Sequence, residues 1–305
     1  MTDPDWLADR FESHRAHLRG VAYRMLGSLV EAEDTVQDAW LRASRADASG
    51  VDNLGGWLTT IVARLSLDRL RARASRREEP GGLEMPEPII SMVDAGGVAG
   101  GTAAEASNPE LQAILADSIG MAMLIVLDRL TPAERLAFVL HDTFGLPFDQ
   151  IAPIVERTPT ATRQLASRAR RRVRGSVASS PPVPMARQRE LVDAFLAAAR
   201  AGDFEALVRV LDPDVVVRGD TGATRGPFAG LLEVHGAEEA ASQALLFRRL
   251  APGARPAIIN GSAGVVVFSG DRPFAVMAFT VSSEAIVEID IVLRPERLAR
   301  SSLRP

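Results

Sequence analysis

Apolar positions recur at helical spacing over most of the first 175 residues of this 305-residue chain. Over residues 5–46 they lie three and four positions apart, which predicts two helices that break near Gly27–Ser28. The turn-forming stretch 49–56 then precedes a third helix, predicted from Trp57 to about Ser75. The pattern predicts a small all-helical domain over residues 1–79.

Residues 80–108 are rich in Gly, Pro, Ala and acidic side chains and lack a sustained apolar period, which predicts a flexible linker. Helical periodicity resumes at Leu111, and Thr131–Glu134 has the capping Thr, first-position Pro and third-position Glu of a helix start. Two further helical segments, separated by the polar break ERTP, predict a helix-turn-helix whose second helix begins near Thr160. We therefore predict a second helical domain over residues 109–175.

The pattern of apolar and polar residues changes after a Pro- and Ser-rich linker, which is predicted at residues 176–186. Residues 187–211 have the pattern of an amphipathic helix pair, and strand-like segments follow Gly253. The last strand alternates Ile289, Ile291 and Leu293 with Glu288, Asp290 and Val292. Such alternation indicates one apolar sheet face, so residues 187–298 are predicted to be an α+β domain with a curved, mostly antiparallel sheet, followed by a tail at 299–305.

Positive charge is concentrated on two predicted helices. Residues 157–174 hold seven arginines and no acidic residue, and residues 58–79 hold six arginines against three acidic residues. With -4 overall, +7 on the first segment and +3 on the second, the remainder carries -14. These helices are candidate surfaces for a nucleic-acid backbone, although an arginine run is also typical of a solvated basic face.

The composition excludes several kinds of chemistry. The chain has no Cys, which rules out disulfides, thiolate metal sites and cysteine nucleophiles. No signal peptide is visible, and the longest apolar run, Met121–Leu127, is too short to span a bilayer. His14 and His17 can share a helix face, but further ligands are missing. We therefore expect a cytoplasmic protein with no membrane association, no metal and no cofactor.

The order of these motifs resembles bacterial sigma factors of the extracytoplasmic-function type. EAEDTVQDAWLRA, residues 31–43, resembles their core-polymerase-binding helix, and GGWLTTIVARLSLDRLRARASRRE, residues 55–78, resembles their helix for the -10 promoter element. Residues 127–174 are similar to region 4, which reads the -35 element. The resemblance covers about half the chain and implies a region 2 helical bundle, a region 4 helix-turn-helix, and core RNA polymerase and promoter DNA as partners.

Candidate residues for binding the -35 element lie on the second helix of the predicted helix-turn-helix. In the N-terminal half of a recognition helix, Arg can pair with guanine and Gln with adenine, and these side chains are predicted to read bases: Arg163, Gln164, Ser167 and Arg168. The arginines one turn later are predicted to grip phosphates: Arg170, Arg171, Arg172 and Arg174.

The resemblance assigns two further surfaces. The -10 element would be held by Asn53, Trp57, Arg64, Asp68 and Arg69. Trp57 as a core anchor is the alternative. Core polymerase would dock on a stripe of the 31–43 helix formed by Asp34, Gln37, Asp38 and Leu41. An ordinary solvated face is the alternative for this stripe.

The C-terminal region is similar to the SnoaL-like extension of one sigma-factor subgroup, a cone-shaped α+β domain of the nuclear-transport-factor-like superfamily. Glu84–Pro88 resembles that subgroup's Trp-Leu-Pro-Glu-Pro linker motif, and Asp220–Arg225 stands where it has an Asp-Gly-Gly-Gly-Lys loop. Arg294–Leu298 resembles its closing Asn-Pro-Asp-Lys-Leu motif. The resemblance implies regulation in cis through Pro86, Glu87, Pro88, Asp220, Gly222 and Arg297.

Two other functions remain open at this point. A helix-turn-helix regulator whose cone domain senses a small molecule would bind DNA without polymerase, as a dimer on a palindrome. A working cyclase or isomerase would need a pocket carboxylate to move a proton, and the candidates are Asp220, His235, Glu288 and Asp290. No spacing among these is diagnostic. The second basic helix and the 31–43 stripe favour a sigma factor that is not an enzyme and is a monomer when free, with a small ligand of the cone domain left open.

Overall fold

The computed structural model describes residues 4–46, 50–76, 85–93, 120–174, 183–220, 231–246 and 248–293. These residues fall into two compact units. The first contains the described residues of Met1–Gly81 and Leu124–Ser176. The second contains those of Gly82–Pro109, Ser118–Met123 and Val177–Pro305.

The first unit begins with three helices, α1 (Pro4–Leu26), α2 (Leu29–Ala43) and α3 (Leu54–Arg76). The predicted break between α1 and α2 is confirmed, because Gly27 has φ 73° and the Ser28 side chain accepts from the Glu31 amide to cap α2. Helix α3 starts three residues earlier than predicted. The amide of Gly56 donates to Asn53 Oδ1 at 2.9 Å, which satisfies one of the free N–H groups of the first turn.

The predicted helix-turn-helix is also present. It is formed by α6 (Phe148–Val155) and α7 (Pro159–Arg174). Two helices precede it, α4 (Met121–Asp128) and α5 (Pro132–Phe138, continued by a π-helical turn at Val139–Thr143). The capping box is confirmed in both directions, since Thr131 Oγ1 accepts from the Glu134 amide and the Glu134 carboxylate accepts from the Thr131 amide. Glu156 ends α6 in the left-handed conformation, with φ 57°, and so redirects the chain into α7.

The second unit is built on one seven-stranded sheet. Its strands are β1 (Ile90–Met92), β2 (Leu211–Asp220), β3 (Leu231–His235), β4 (Ala254–Ile259), β5 (Ser262–Ser269), β6 (Arg272–Val281) and β7 (Ile286–Val292). Their order is β1-β4-β5-β6-β7-β2-β3, with only β2 and β7 parallel. Helices α8 (Met185–Ala201), α9 (Phe204–Val210) and α10 (Ala237–Leu246) belong to the same unit, and residues of α8 and α10 form an apolar core with one face of the sheet. The mostly antiparallel α+β domain is therefore confirmed.

The structure corrects the prediction of a flexible linker for residues 85–93. Strand β1 pairs with β4 in antiparallel register, from Ile90 opposite Ile259 to Met92 opposite Ala257. Just before it, the Ile89 amide donates to Asn260 Oδ1 at 2.9 Å, and the Asn260 amide donates back to the Ile89 carbonyl at 2.8 Å. Because Asn260 lies 171 positions from Ile89, the local sequence pattern does not predict this short strand.

Candidate nucleic-acid interface and regulatory segment

Recognition helix α7 has one buried side and one exposed side. Thr162, Ala166, Ala169 and Val173 are buried, while Arg163, Gln164, Ser167, Arg168, Arg171 and Arg172 are exposed. The Arg163 guanidinium lies 5.4 Å from the ring centroid of Phe148 on α6, a cation–π geometry that restrains this side chain at the start of the helix. The exposed side thus presents Arg163, Gln164 and Ser167 together.

Several of the predicted DNA-binding arginines already have partners. Arg168 and Arg172, one turn apart, both pair with the buried carboxylate of Glu134, and Arg170 pairs with Asp142 at 2.6 Å. About half of the Arg168 and Arg172 side chains nevertheless stays exposed, at 51% and 52%. These arginines tie α7 to α5 and to the π-helical turn that continues it. Sequence reasoning missed the role of Glu134 because its capping-box position accounts for the residue without any distant partner.

Glu134 is held in its charged form. Burial opposes its ionisation, but hydrogen bonds from Thr131 and the hydrogen bond and charge of Arg172 outweigh that penalty and lower the pKa of Glu134 below its usual value. A carboxylate with a lowered folded pKa stabilises the fold above its unfolded pKa and loses that contribution as the pH falls through its folded pKa.

We therefore expect Glu134→Gln to lower the free energy of unfolding of the first unit by about 1–2 kcal/mol at pH 7, because the charge-assisted bonds to α7 are lost. The difference from wild type should shrink as the pH falls below about 4. Urea titrations followed by tryptophan fluorescence measure both effects. Asp149→Asn removes the same charge from an exposed site and is the control. A deficit that does not change with pH would exclude the ionic explanation.

Helix α3 presents the predicted -10 residues unequally. One side of the helix carries Trp57, Arg64 and Asp68, which are seven and four residues apart. Arg64 and Asp68 are exposed, and Trp57 is half-buried. Asn53 is exposed but its side chain caps α3. Arg69 donates to Asp38 of α2 at 2.7 Å, so a predicted DNA residue and a predicted polymerase residue are partners.

Three of the four residues of the predicted docking stripe on α2 are exposed. Asp34 and Gln37 are exposed, Asp38 is half-buried in its ion pair, and Leu41 is 46% exposed. Val30, one turn before Asp34, is 50% exposed and extends the stripe. The sequence signal for Val30 was an apolar residue on the polar side of an amphipathic helix, a signal that the prediction did not use.

Within the first unit, the two helical domains touch through Arg135. This side chain is only 2% exposed; its Nε donates to the Arg24 carbonyl of α1 at 3.1 Å and its Nη1 donates to Asp128 at 3.1 Å. The Arg24 guanidinium lies 5.0 Å from the Phe144 ring centroid, and that ring meets His17 of α1 edge-on. The helix-turn-helix is therefore packed directly against the region that carries α3.

The motif before β1 is fastened to the sheet. Pro86 and Pro88 are buried, Glu87 is half-buried, and the Met85 amide donates to the carboxylate of buried Asp220 at 3.0 Å. Asp220 is therefore brought together with this motif. Gly222 and Arg297 lie outside the described residues.

The polar positions of β7 are not a solvated face. Glu288 and Asp290 are 4% and 1% exposed, and both pair with Arg218 of β2, at 3.0 and 3.3 Å. Burial opposes the charge on Arg218, but these carboxylates raise the pKa of Arg218 above its usual value. The side of β7 that carries Ile289 and Ile291 is apolar and packs in the core of the domain, whereas the polar side is buried around Arg218 and not exposed to solvent. His235 is exposed and lies 3.4 Å from Glu233, whose carboxylate is also 3.9 Å from Arg218 Nε, so His235 lies at the exposed end of this cluster.

Among the described residues, no group of three or more His, Asp or Glu side chains is arranged to hold a metal. His17 instead lies 3.1 Å from Thr59 Oγ1, and His14 packs beside Gly55. None of the helices in these ranges combines the length and the apolar character needed to cross a bilayer.

A helical bundle followed by a helix-turn-helix with an arginine-lined recognition helix defines a DNA-binding transcription protein. Two family models match the chain, sigma-70 region 2 over residues 10–76 and sigma-70 region 4 over residues 121–173. The chain belongs to the extracytoplasmic-function family of RNA polymerase sigma factors.

Full-length relatives support this assignment. The chain is 36% identical to the ECF RNA polymerase sigma factor SigJ of Mycobacterium tuberculosis, over 96% of this chain and 94% of the relative. It is 33% identical to the probable ECF RNA polymerase sigma factor SigI of the same species, over 98% and 97% of the two chains. The crystal structure of SigJ matches with a TM-score of 0.75 at 32% identity, covering 97% of this chain and 99% of that one. The likeness therefore includes the C-terminal α+β domain.

Proposed function

We propose that this chain recruits core RNA polymerase through the α2 stripe, reads a -35 element with the start of α7 and opens a -10 element with α3. The exposure of all three surfaces in one member of the sigma family is the observation that carries the proposal. A DNA-binding regulator that acts alone would not need Val30 and Leu41 exposed beside acidic residues on α2.

The test is promoter-dependent transcription with purified core polymerase, using the full chain and a form that ends near Val183. Transcripts that require this chain support the sigma function, and a changed yield with the shorter form supports regulation in cis. DNA binding that needs no polymerase, without transcripts, would instead identify a ligand-sensing regulator. Leu41→Glu tests the docking stripe, and Arg45→Glu at an exposed position just beyond α2 is its control.

Base reading and phosphate binding by α7 should separate experimentally. We expect Gln164→Ala to cost about 1–3 kcal/mol at one position of the -35 element and to relax sequence preference there. Arg171→Ala should weaken binding to all sequences and lower the slope of log affinity against log salt by roughly 1. Binding of polymerase holoenzyme to a set of -35 variants at several salt concentrations measures both. Equal, sequence-independent losses for the two variants would contradict these roles.

The packed first unit must open before both promoter elements are engaged. Elements centred at -35 and -10 are about 25 base pairs apart, or roughly 85 Å along B-DNA at 3.4 Å per base pair. Helix α3, at 23 residues, spans only about 35 Å, and its domain contacts the helix-turn-helix through Arg135. We propose that this packed state is inactive and that polymerase binding separates the two domains.

The C-terminal domain would regulate this step through residues 85–93 rather than by catalysis. Asp220 and Asn260 hold the segment on the sheet, and the buried carboxylates of β7 both pair with Arg218. These contacts fix the position of the chain that connects the two DNA-reading domains, which is where a regulatory domain can limit their separation.

Weakening the segment's attachment should therefore change transcription. We expect Asn260→Ala to release it, because alanine loses the bond to Ile89 and is strained at φ 49°. Hydrogen exchange of residues 85–93 should speed up by tenfold or more, and transcript yield should change in the same direction as with the shorter chain. Asn260→Gly tolerates this φ but also loses the bond to Ile89, so comparison with Asn260→Ala separates the strain from the lost bond. Faster exchange with unchanged transcription would separate the segment from regulation.

A further inference from the structure

The C-terminal domain contains an apolar cavity of about 130 Å³ between the helices and one face of the sheet. Phe195 of α8, Ala240 of α10 and Val217 of β2 contribute to its walls. Phe274, Met277, Ile291 and Leu293 also line it and remain only half-buried. These four side chains therefore contact the cavity as well as the packed core of the domain.

Water is a poor occupant of this cavity. A buried water needs two to four polar partners, but Gln243 and Arg248 are the only polar side chains among the described lining residues. A cavity of about 150 Å³ with similar walls binds benzene in another protein. The volume here therefore suits one six-membered ring or an acyl chain of about six carbons.

Arg248 indicates the charge of the occupant. It is the one charged side chain among those described at the cavity, it is exposed, and its guanidinium lies beside Gly202 at the end of α8. The acidic side chains Glu288 and Asp290 lie on the opposite sheet face, because side chains alternate along β7 and it is Ile289 and Ile291 that reach the cavity. A carboxylate beside Arg248 would therefore meet a cation, and no acidic side chain is among the described residues that line the cavity.

The cavity is connected to the segment at residues 85–93 through one short path. Leu293 lines the cavity, and its amide donates to the Asp220 carbonyl at 2.8 Å. The side chain of that same Asp220 accepts from the Met85 amide. Movement of Leu293 on filling the cavity would therefore act on the residue that holds the segment.

We propose that this cavity binds a small hydrophobic carboxylic acid, either a single aromatic ring or a short acyl chain, with its carboxylate at Arg248. Occupancy changes the hold of Asp220 on residues 85–93. The second statement rests on the proposed regulatory function, whereas the binding itself is independent of it. The site senses a ligand and performs no reaction.

Binding is tested on the full chain by calorimetry and thermal shift with benzoate and hexanoate, each compared with its uncharged partner, benzyl alcohol or hexanol. We expect each acid to bind at least tenfold more tightly than its alcohol. Arg248→Gln should remove that preference without abolishing alcohol binding, and Ala244→Leu, which fills the cavity, should abolish both. Ser242→Leu, at an exposed position of the same helix, is the matched control.

Any of three results would overturn the assignment of the ligand. These are equal affinity for acid and alcohol, no binding of any of the four compounds, and undiminished binding to Ala244→Leu. Hydrogen exchange of residues 85–93 with saturating benzoate or hexanoate then tests the connection to the segment. At least a threefold change in exchange is expected, and binding without any change would overturn that connection. Because these measurements need neither polymerase nor promoter, a failure here is distinguishable from failure of the sigma function.

Discussion

Replacing Arg218 with methionine should lower the free energy of unfolding of the second unit by about 3–5 kcal/mol at pH 7. Glu288 and Asp290 would remain buried with no positive charge between them, at 4% and 1% exposure. Methionine keeps an unbranched apolar stem in place of the arginine stem, so most of the loss comes from the unpaired carboxylates. This is the largest stability effect that we expect from a single substitution in the chain.

The pH dependence identifies the cause of this deficit. Without the guanidinium, burial and mutual repulsion disfavour the charged form of both carboxyl groups, so that protonation stabilises the folded variant. A group with a raised folded pKa contributes its stability below the unfolded pKa and loses it as the pH rises through the folded pKa. The deficit should therefore be largest near pH 7 and shrink as the pH falls towards about 4.

The measurement must report on the second unit alone. All three tryptophans and the single tyrosine lie at residues 6, 23, 40 and 57, in the first unit, so fluorescence is blind to the change. Hydrogen exchange of peptides from β2 and β7 in increasing urea is selective. Arg272→Met, at an exposed site at the start of β6, is the control. A loss below 1 kcal/mol, or one that is independent of pH, would mean that the buried pairs are not what stabilises the sheet.

Substituting Arg135 with methionine should open the first unit. The variant loses the bonds to the Arg24 carbonyl and to Asp128, both of which are made in a buried site. A loss of about 2 kcal/mol would shift the ratio of packed to open molecules roughly 30-fold. If the packed state is inactive, transcript yield should rise with the open fraction at limiting polymerase.

The absence of native Cys makes this population measurable. Dyes on Arg42→Cys and Gln150→Cys, both at exposed sites, report the distance between the two helical domains by single-molecule energy transfer. We expect a single short-distance population in the wild type and an added long-distance population in the variant. Arg129→Met changes an exposed arginine beside α4 and should leave the distribution unchanged. An Arg135 variant that unfolds α5 instead of opening would show lost helicity in circular dichroism and would refute this role.

The sequence by itself determined the local structure of this protein. Three features depend on residues within a few positions of one another: the break at Gly27–Ser28, the capping box at Thr131–Glu134 and the helix-turn-helix. Such short-range patterns can be predicted directly from the sequence. The order of these motifs also sufficed to recognise the sigma family and to place Gln164 and Ser167 on the exposed side of α7.

Tertiary structure alone decided which charged side chains are free to act. Arg168 and Arg172 pair with Glu134, Arg69 pairs with Asp38, and the polar face of β7 is buried around Arg218. Strand β1 likewise forms only because β4 offers a free edge. In each case the partner lies many residues away, and the energy of a charge or an edge strand depends on what packs against it. The spacing of apolar and polar residues along the sequence does not predict which distant residues pack against a given side chain.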